Sequence, residues 1–379
     1  MRQLKLVSTV LMTSVLVACG GGGSDVPAKP KFTSQVSFGD SLSDVGSYNV
    51  GVVAAIGGGQ FTINAASSVK AFTPTNWTEM TALKLGLPMP CAAQTGLDNG
   101  SGVTPGTPAG TVITVVNKPA CTGYAQGGAR ITSPVGIGNK FMPVTAPAQP
   151  GFALTVPVVT QIANHLAAHG GSFAGTDLVT VMAGANDVAI QAESVGKGLI
   201  SPASAVVAVQ TAATELAAAV NTQIIAKGAT HVVLINVPDI GSTPKVTSLP
   251  APAIPATKGL FDTLVNTFNA TLKAGVPDSA VVLNVDAYTA SKDEVVNPGK
   301  YNLTNVSGTA CNLEFGFNAL ATSGVPASGS SLACNAANLN TGVLPSDHYL
   351  FADLIHPTPY GHLLFATYVL QAMTNKGWY

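Results

Sequence analysis

The chain has 379 residues, of which 9% are Asp, Glu, Lys or Arg, against about a quarter in an ordinary soluble domain. Its 17 basic and 18 acidic residues leave a net charge of -1, and 46% of the residues are hydrophobic. There is no basic excess to neutralise phosphates, which argues against nucleic-acid binding, and the apolar content argues against a disordered tail. What remains is a membrane-embedded protein, or an exported one with an uncharged surface of Ala, Thr, Gly and Ser, long enough for one large domain or two small ones.

Arg2 and Lys5 precede an apolar run over residues 6–18, too short for a comfortable membrane span, that ends in Leu16-Val17-Ala18-Cys19. The ending resembles the bacterial lipobox. It predicts a cleaved signal segment, residues 1–18, with Cys19 lipid-modified as the first mature residue; the alternative is an ordinary signal peptide that happens to hold a Cys. Residues 19–32 are Gly-rich, then contain Pro and Lys, and read as a flexible tether. Gly20 stands where an Asp would favour inner-membrane retention, which points to the outer membrane. No other segment reads as a membrane span, because the apolar stretch 203–226 is broken by Gln210, Glu215, Asn221 and Gln223.

A short strand over residues 35–38 runs into Gly39-Asp40-Ser41. Residues 47–123 lack periodicity and read as a loop-rich insertion. Regular alternation follows: a helix over 158–168, an apolar strand over 178–183, and a helix opened by Ser201-Pro202. That helix carries Val206, Val209, Ala213, Leu216, Val220 and Ile224 at helical spacing and stops at Gly228. A strand over 231–237, a helix through Leu260, Leu264, Phe268 and Leu272, a strand over 281–285 and a last helix over 358–373 complete the pattern. Buried apolar strands alternating with helices predict a mainly parallel sheet covered on both faces, in a single domain over residues 33–379.

Five cysteines are an odd number, but lipidation of Cys19 would leave Cys91, Cys121, Cys311 and Cys334 for an oxidising compartment. Of the three connectivities, sequence locality favours 91–121 and 311–334. No Cys-x-x-Cys or Cys/His spacing suggests zinc.

In a parallel α/β sheet the chemistry sits beyond the carboxyl ends of the strands. Ser41 follows the first strand, where a strand-to-helix turn would expose its hydroxyl beside a helix N-terminus. Asn186, in Gly184-Ala185-Asn186-Asp187, can donate a side-chain hydrogen bond into the same cleft, and the Gly127-Gly128 turn can bring in a backbone N–H. His356 lies three residues after Asp353, close enough for a carboxylate to orient a general base. Blander roles fall to Asp40 (a turn carboxylate), Asp44 (a helix-start charge), Asp187 (loop support) and His362 (a residue of the last helix). Asp347-His348 reads as a decoy.

Phe38-Gly39-Asp40-Ser41-Leu42-Ser43-Asp44, the Gly127-Gly128 turn, Gly184-Ala185-Asn186-Asp187 and Asp353-Leu354-Ile355-His356-Pro357, in this order, resemble the SGNH or GDSL-type lipase/esterase family. The resemblance implies a three-layer α/β/α, flavodoxin-like sandwich. It implies Ser41 as nucleophile, His356 as general base and Asp353 as its orienting acid. The oxyanion hole would be the N–H groups of Ser41 and Gly128, with Gly127 the alternative, and the Asn186 side chain. It further implies ester hydrolysis without metal or organic cofactor, on acyl or lipid esters outside the cytoplasm; carbohydrate O-deacetylation and phospholipase/acyltransferase chemistry are the enzymatic alternatives, and a surface-binding lipoprotein is the non-enzymatic one. No Gly-x-Ser-x-Gly elbow of an ordinary α/β-hydrolase is present.

Overall fold

The computed structural model describes residues 29–66, 73–97, 113–139, 141–142, 153–314 and 330–379; the signal segment, Cys19 and most of the tether lie outside the described residues. In chain order the first half holds β1 (Ser34–Gly39), α1 (Gly51–Ala55), α2 (Trp77–Lys84), β2 (Gln94–Leu97), β3 (Ile113–Asn117), α3 (Val158–Ala168), β4 (Asp177–Met182) and α4 (Ala185–Gly196). The second half holds α5 (Pro202–Ala219), β5 (Val232–Ile235), α6 (Pro244–Thr247), α7 (Ile254–Gly275), β6 (Val282–Val285), α8 (Ala287–Val296), β7 (Asn305–Thr309), β8 (Tyr349–Phe351) and α9 (Pro359–Asn375).

The central sheet is parallel throughout, with order β1-β4-β5-β6. Its strands are apolar on both faces because both faces are covered. Val36, Phe38, Val179, Val181, Val232, Leu234 and Val282 pack under α3, α4, α5 and α7. The alternate residues Leu178, Met182, Val233, Ile235, Leu283 and Val285 pack with α9 and with Trp77 and Met80 of α2. A side chain of this size contributes about 1.5–3 kcal/mol on full burial, so the sheet organises the core. This is the three-layer α/β/α sandwich expected from the sequence.

Outside β1 the chain adds one more run. Ser37 N–H donates to Thr122 O (3.0 Å), Tyr124 N–H to Ser37 O (2.8 Å) and Gln126 N–H to Gly39 O (3.2 Å). These bonds deliver the Gly127-Gly128 turn to the same end of the sheet as Ser41. Gly39 closes the other side: its φ is +149°, and a Cβ there would lie 2.0 Å from Met182 O of β4.

Segments with clear periodicity match their predicted elements. Ser201 caps α5, accepting from Ser204 N–H, with Pro202 in the first turn. Beyond Ala219 the helix passes through a π-helical turn and ends at Gly228, φ +98°. The helix through Pro202–Lys227 is the one among the described residues with the length and hydropathy of a membrane span. Its Val209, Ala213, Leu216 and Val220 are buried in the core with residues of α4 and α7. The strand predicted over 231–237 ends at Ile235, because Asn269 of α7 takes over the Val237 N–H and C=O at 2.9 Å each.

The insertion is more structured than its composition predicts. It contains α2, opened by a capping box in which Asn76 accepts from Thr78 N–H and Glu79 accepts from Asn76 N–H (2.9 Å each). It also contains the antiparallel pair β2-β3. Both disulfides join sequence-local cysteines, Cys91–Cys121 and Cys311–Cys334, separated by 30 and 23 residues.

The Cys91–Cys121 bridge clamps the start of the run that carries Gly127 and Gly128. Replacing both cysteines by Ser should lower stability by about 3–4 kcal/mol on chain-entropy grounds, read as a lower urea midpoint under non-reducing conditions; an unchanged midpoint would contradict this role.

Candidate active site

Ser41 lies at the end of β1, and His356 and Asp353 lie in the loop between β8 and α9. The structure brings the three into one relay. Ser41 Oγ is 2.8 Å from His356 Nε2, and His356 Nδ1 is 2.8 Å from Asp353 Oδ2. Asp353 is wholly buried. Burial by itself raises its carboxyl. The neighbouring His356 and the hydrogen bonds it accepts outweigh that and hold it below the usual carboxylate range. Those bonds come from the N–H groups of Ser331 (2.5 Å), Ile355 (2.9 Å) and His356 (2.8 Å). A carboxylate so held orients an imidazole and stabilises its cationic form.

The second disulfide frames this carboxylate. Cys334 N–H donates to Ser331 O (2.8 Å), in the turn whose Ser331 N–H reaches Asp353, while Cys311 N–H donates to Ala352 O (2.9 Å), next to Asp353. The insertion contributes as well: Thr62 Oγ1 donates to Pro357 O (2.9 Å), and the Phe61 ring lies 5.0 Å from the His356 ring.

No helix follows Ser41, contrary to the strand-to-helix turn read from the sequence. Residues 41–50 form turns, and the five-residue α1 begins at Gly51. The cause is Asp44, which is buried and accepts from Gly46 N–H (2.8 Å), Ser47 N–H (2.7 Å) and Ser47 Oγ (2.5 Å). Asp44 is therefore an internal anchor of the turn and not a helix-start charge. Asp40 is a turn carboxylate, as read, with Oδ1 accepting from Leu42 N–H at 3.1 Å.

Asp44 also separates the two candidate glycines. Its Oδ2 accepts from Gly127 N–H at 2.9 Å. The Gly128 N–H has no acceptor among the described residues, and neither has that of Ser41. Asn186 Nδ2 spends one hydrogen on Ala129 O (2.8 Å) and keeps the other. Ser41, Gly128 and Asn186 all line one cleft of about 430 Å³. Gly128 has φ +78°, and a Cβ there would meet Ile137 O at 2.0 Å, so the turn admits only glycine. Asp187 holds the turn to α4 by accepting from Arg130 Nε (2.9 Å) and Ile131 N–H (3.1 Å), the loop support expected of it. Three N–H donors facing a hydroxyl on a hydrogen-bonded imidazole can stabilise an oxyanion as the hydroxyl attacks an acyl carbon.

His348 pairs with Asn302 and stacks on Tyr360, away from the cleft. His362 is buried in α9, as read, but it also lines the cleft. Burial lowers its imidazole to about 3, so it is neutral at physiological pH. Asp239, Ser291 and Glu294 line the cleft too; no motif marks them in the sequence.

Over residues 35–369 the chain matches the family model described as GDSL-like Lipase/Acylhydrolase. No curated protein matches it.

Asp40 supplies a pH test. Burial raises its carboxyl from 3.8 to about 7, partly opposed by the Leu42 N–H bond and by His356, and Oδ2 has no partner. A raised acid holds its proton longer in the folded state, so stability falls as pH rises from about 4 to about 7 and then levels. Asp40→Asn keeps an acceptor for Leu42 N–H and removes this slope. The melting temperature of Asp40→Asn relative to wild type should be higher at pH 8 than at pH 4, whereas a pH-independent difference would contradict the assignment.

Proposed function

The chain belongs to the GDSL-like lipase/acylhydrolase family, whose substrates are esters, and from that premise we propose that it is a serine carboxylic ester hydrolase working through an acyl-enzyme. The observation that carries this reading is the hydrogen-bonded relay from Asp353 through His356 to Ser41, opening on a cleft with three N–H donors.

Ser41 Oγ attacks the acyl carbon while His356 Nε2 takes its proton. The carbonyl oxygen becomes an oxyanion held by the N–H groups of Ser41 and Gly128 and the side chain of Asn186. The C–O bond to the alcohol then breaks, and His356 returns the proton to the leaving oxygen. Water repeats the cycle on the acyl-enzyme, with His356 as base, and regenerates Ser41 with release of the acid. Removing one oxyanion donor costs about 100–1,000-fold in turnover.

Leu42, Trp77, Ile137, Met182 and Leu332 give the cleft apolar walls, and its volume lies in the range of small-molecule sites. Both support acyl or lipid esters over acetyl groups on sugars. The lipobox-like ending at Cys19 supports a lipid anchor and action outside the cytoplasm, at the outer membrane or cell surface.

Wild-type protein should hydrolyse nitrophenyl acyl esters and react with a fluorophosphonate probe, and Ser41→Ala should lose at least about 1,000-fold in turnover together with the label. Acyl esters of graded length should show a preference for chains longer than acetyl; an acetyl optimum would favour sugar deacetylation, and absence of labelling would favour a binding lipoprotein. Expressed as the full chain in a Gram-negative host, the activity should sediment with membranes and become soluble in Cys19→Ser.

A further inference from the structure

Ser41 stands over an edge of the central sheet, because β1 is the first strand in the order β1-β4-β5-β6. The lining of the cleft runs from it in two directions. Inward, it crosses the carboxyl ends of the strands: Leu42 follows β1, Met182 ends β4, and Ala287 opens α8 just after β6. With neighbouring strands about 4.8 Å apart, β6 lies about 14 Å from β1, the reach of an extended chain of roughly ten carbons. Trp77 and Phe365 also line this side, their rings edge to face at 5.3 Å. Trp77, Met182 and Ala287 belong to the apolar cluster under α9, and Leu42 and Phe365 pack against it.

Two hydrogen bonds tie this wall to the nucleophile turn. Asn76 Nδ2 donates to Leu42 O (2.9 Å), and Trp77 Nε1 donates to Ser43 Oγ (3.2 Å). The buried polar groups on the inward side offer a ligand little charge. Ser291 Oγ accepts from Asp239 N–H (2.9 Å) and donates to Ala287 O (2.8 Å). The Asp239 carboxylate is turned to Ser242 Oγ (2.6 Å) and Lys258 Nζ (4.0 Å). Burial, with a contribution from Asp293, raises the Glu294 carboxyl to about 8, so it is neutral at physiological pH, as His362 is.

Outward, past β1, the run through Thr122 and Tyr124 ends in the Gly127-Gly128 turn. Here the lining is Tyr48, Phe61, Ala153 and Leu332, all from a second apolar cluster that shares no residue with the first. Ile137 and Gly138 complete it: Ile137 N–H donates to Gly128 O (3.0 Å) and Ala153 N–H to Gly138 O (3.1 Å). This wall also reaches the reacting groups. A Cβ on Gly127 would lie 2.2 Å from the Phe61 ring, and that ring is 5.0 Å from the imidazole of His356.

An acyl pocket alone needs one such wall. An ester in its extended form sends its acyl and alcohol parts in opposite directions from the carbonyl carbon, so two apolar walls allow each part to leave water. We propose that the cleft is two-armed and that the preferred substrate is an ester with a hydrocarbon chain on both sides of the scissile bond. One chain lies against Leu42, Met182 and Phe365, the other against Phe61, Ile137 and Leu332. The two arms rest on the ester-hydrolase reading and narrow it, from acyl esters in general to esters of a hydrophobic acid with a hydrophobic alcohol.

Two series vary one chain at a time: methyl esters of straight-chain acids of graded length, and acetates of straight-chain alcohols of graded length. Wild-type kcat/KM should rise in both, by about three- to fourfold for each methylene that leaves water, until the arm is full. Phe365→Ala should flatten the rise in one series and Ile137→Ala in the other. Each slope compares substrates on one protein sample, so incomplete folding of a variant cancels. A flat wild-type series on either side, both variants acting on the same series, or a variant that alters neither slope overturns the two-armed cleft. In each of those cases esters are still turned over and the hydrolase reading stands; turnover of no ester by wild type would overturn that reading and the arms with it.

Discussion

The wholly buried carboxylate of Asp353 is the constraint around which the candidate site is built. A buried charge is tolerated only where hydrogen bonds replace its hydration. Asp353 collects the N–H groups of Ser331, Ile355 and His356 together with the His356 imidazole. Each donor comes with structure attached. The Ser331 N–H requires the turn ending at Cys334, and Cys334 is bridged to Cys311, whose own N–H braces Ala352. The imidazole is then aimed at Ser41, which the parallel ladder of β1 and β4 holds at the end of the sheet.

The low charge of the chain takes on a meaning in this light. Among the described residues eight acidic side chains are buried: Asp40, Asp44, Glu79, Asp177, Asp187, Asp239, Glu294 and Asp353. Most of them join segments distant in sequence or fix a turn. Asp44 ties the turn after Ser41 to Gly127, and Asp187 ties α4 to Arg130 and Ile131. These two bracings position the three N–H donors facing the cleft without any of them bonding to another. Preorganisation of this kind is what makes such donors effective, because they need not reorient as charge develops. Glu79 does comparable work in the insertion, where it accepts from Asn76 N–H and from Gln60 Nε2.

The legible parts of the sequence were those whose signal is local and periodic. Residues 158–168 form α3 as predicted, and Ser201-Pro202 and Thr358 mark the starts of α5 and α9 through caps that any reader of side chains can see. α2 leaves no periodic signal in the sequence although Asn76 and Glu79 spell out its cap: it has eight residues and no amphipathic stripe, with residues 77–82 all buried. The helix expected after Ser41 is absent because an Asp that fixes a turn looks, in sequence, like one that starts a helix. Gly46 at φ +115° and the distant Gly127 N–H decide between them. For the same reason the choice between Gly127 and Gly128 was closed to sequence, since it turns on a bond between residues 83 positions apart. Asp239, Ser291 and Glu294 carry no motif, and only the fold brings them to the wall of one cleft.

The most direct test of the account is the rate at which Ser41 is phosphonylated by a fluorophosphonate, measured in wild type and in Asp353→Asn. The amide keeps the size of the carboxylate but favours the wrong imidazole tautomer and removes the negative charge that stabilises the imidazolium. In Asp353→Asn, labelling of Ser41 should be slower by about 1,000–10,000-fold with the fold retained. Labelling at the wild-type rate would show that the buried carboxylate does not govern the nucleophile, and would contradict the account.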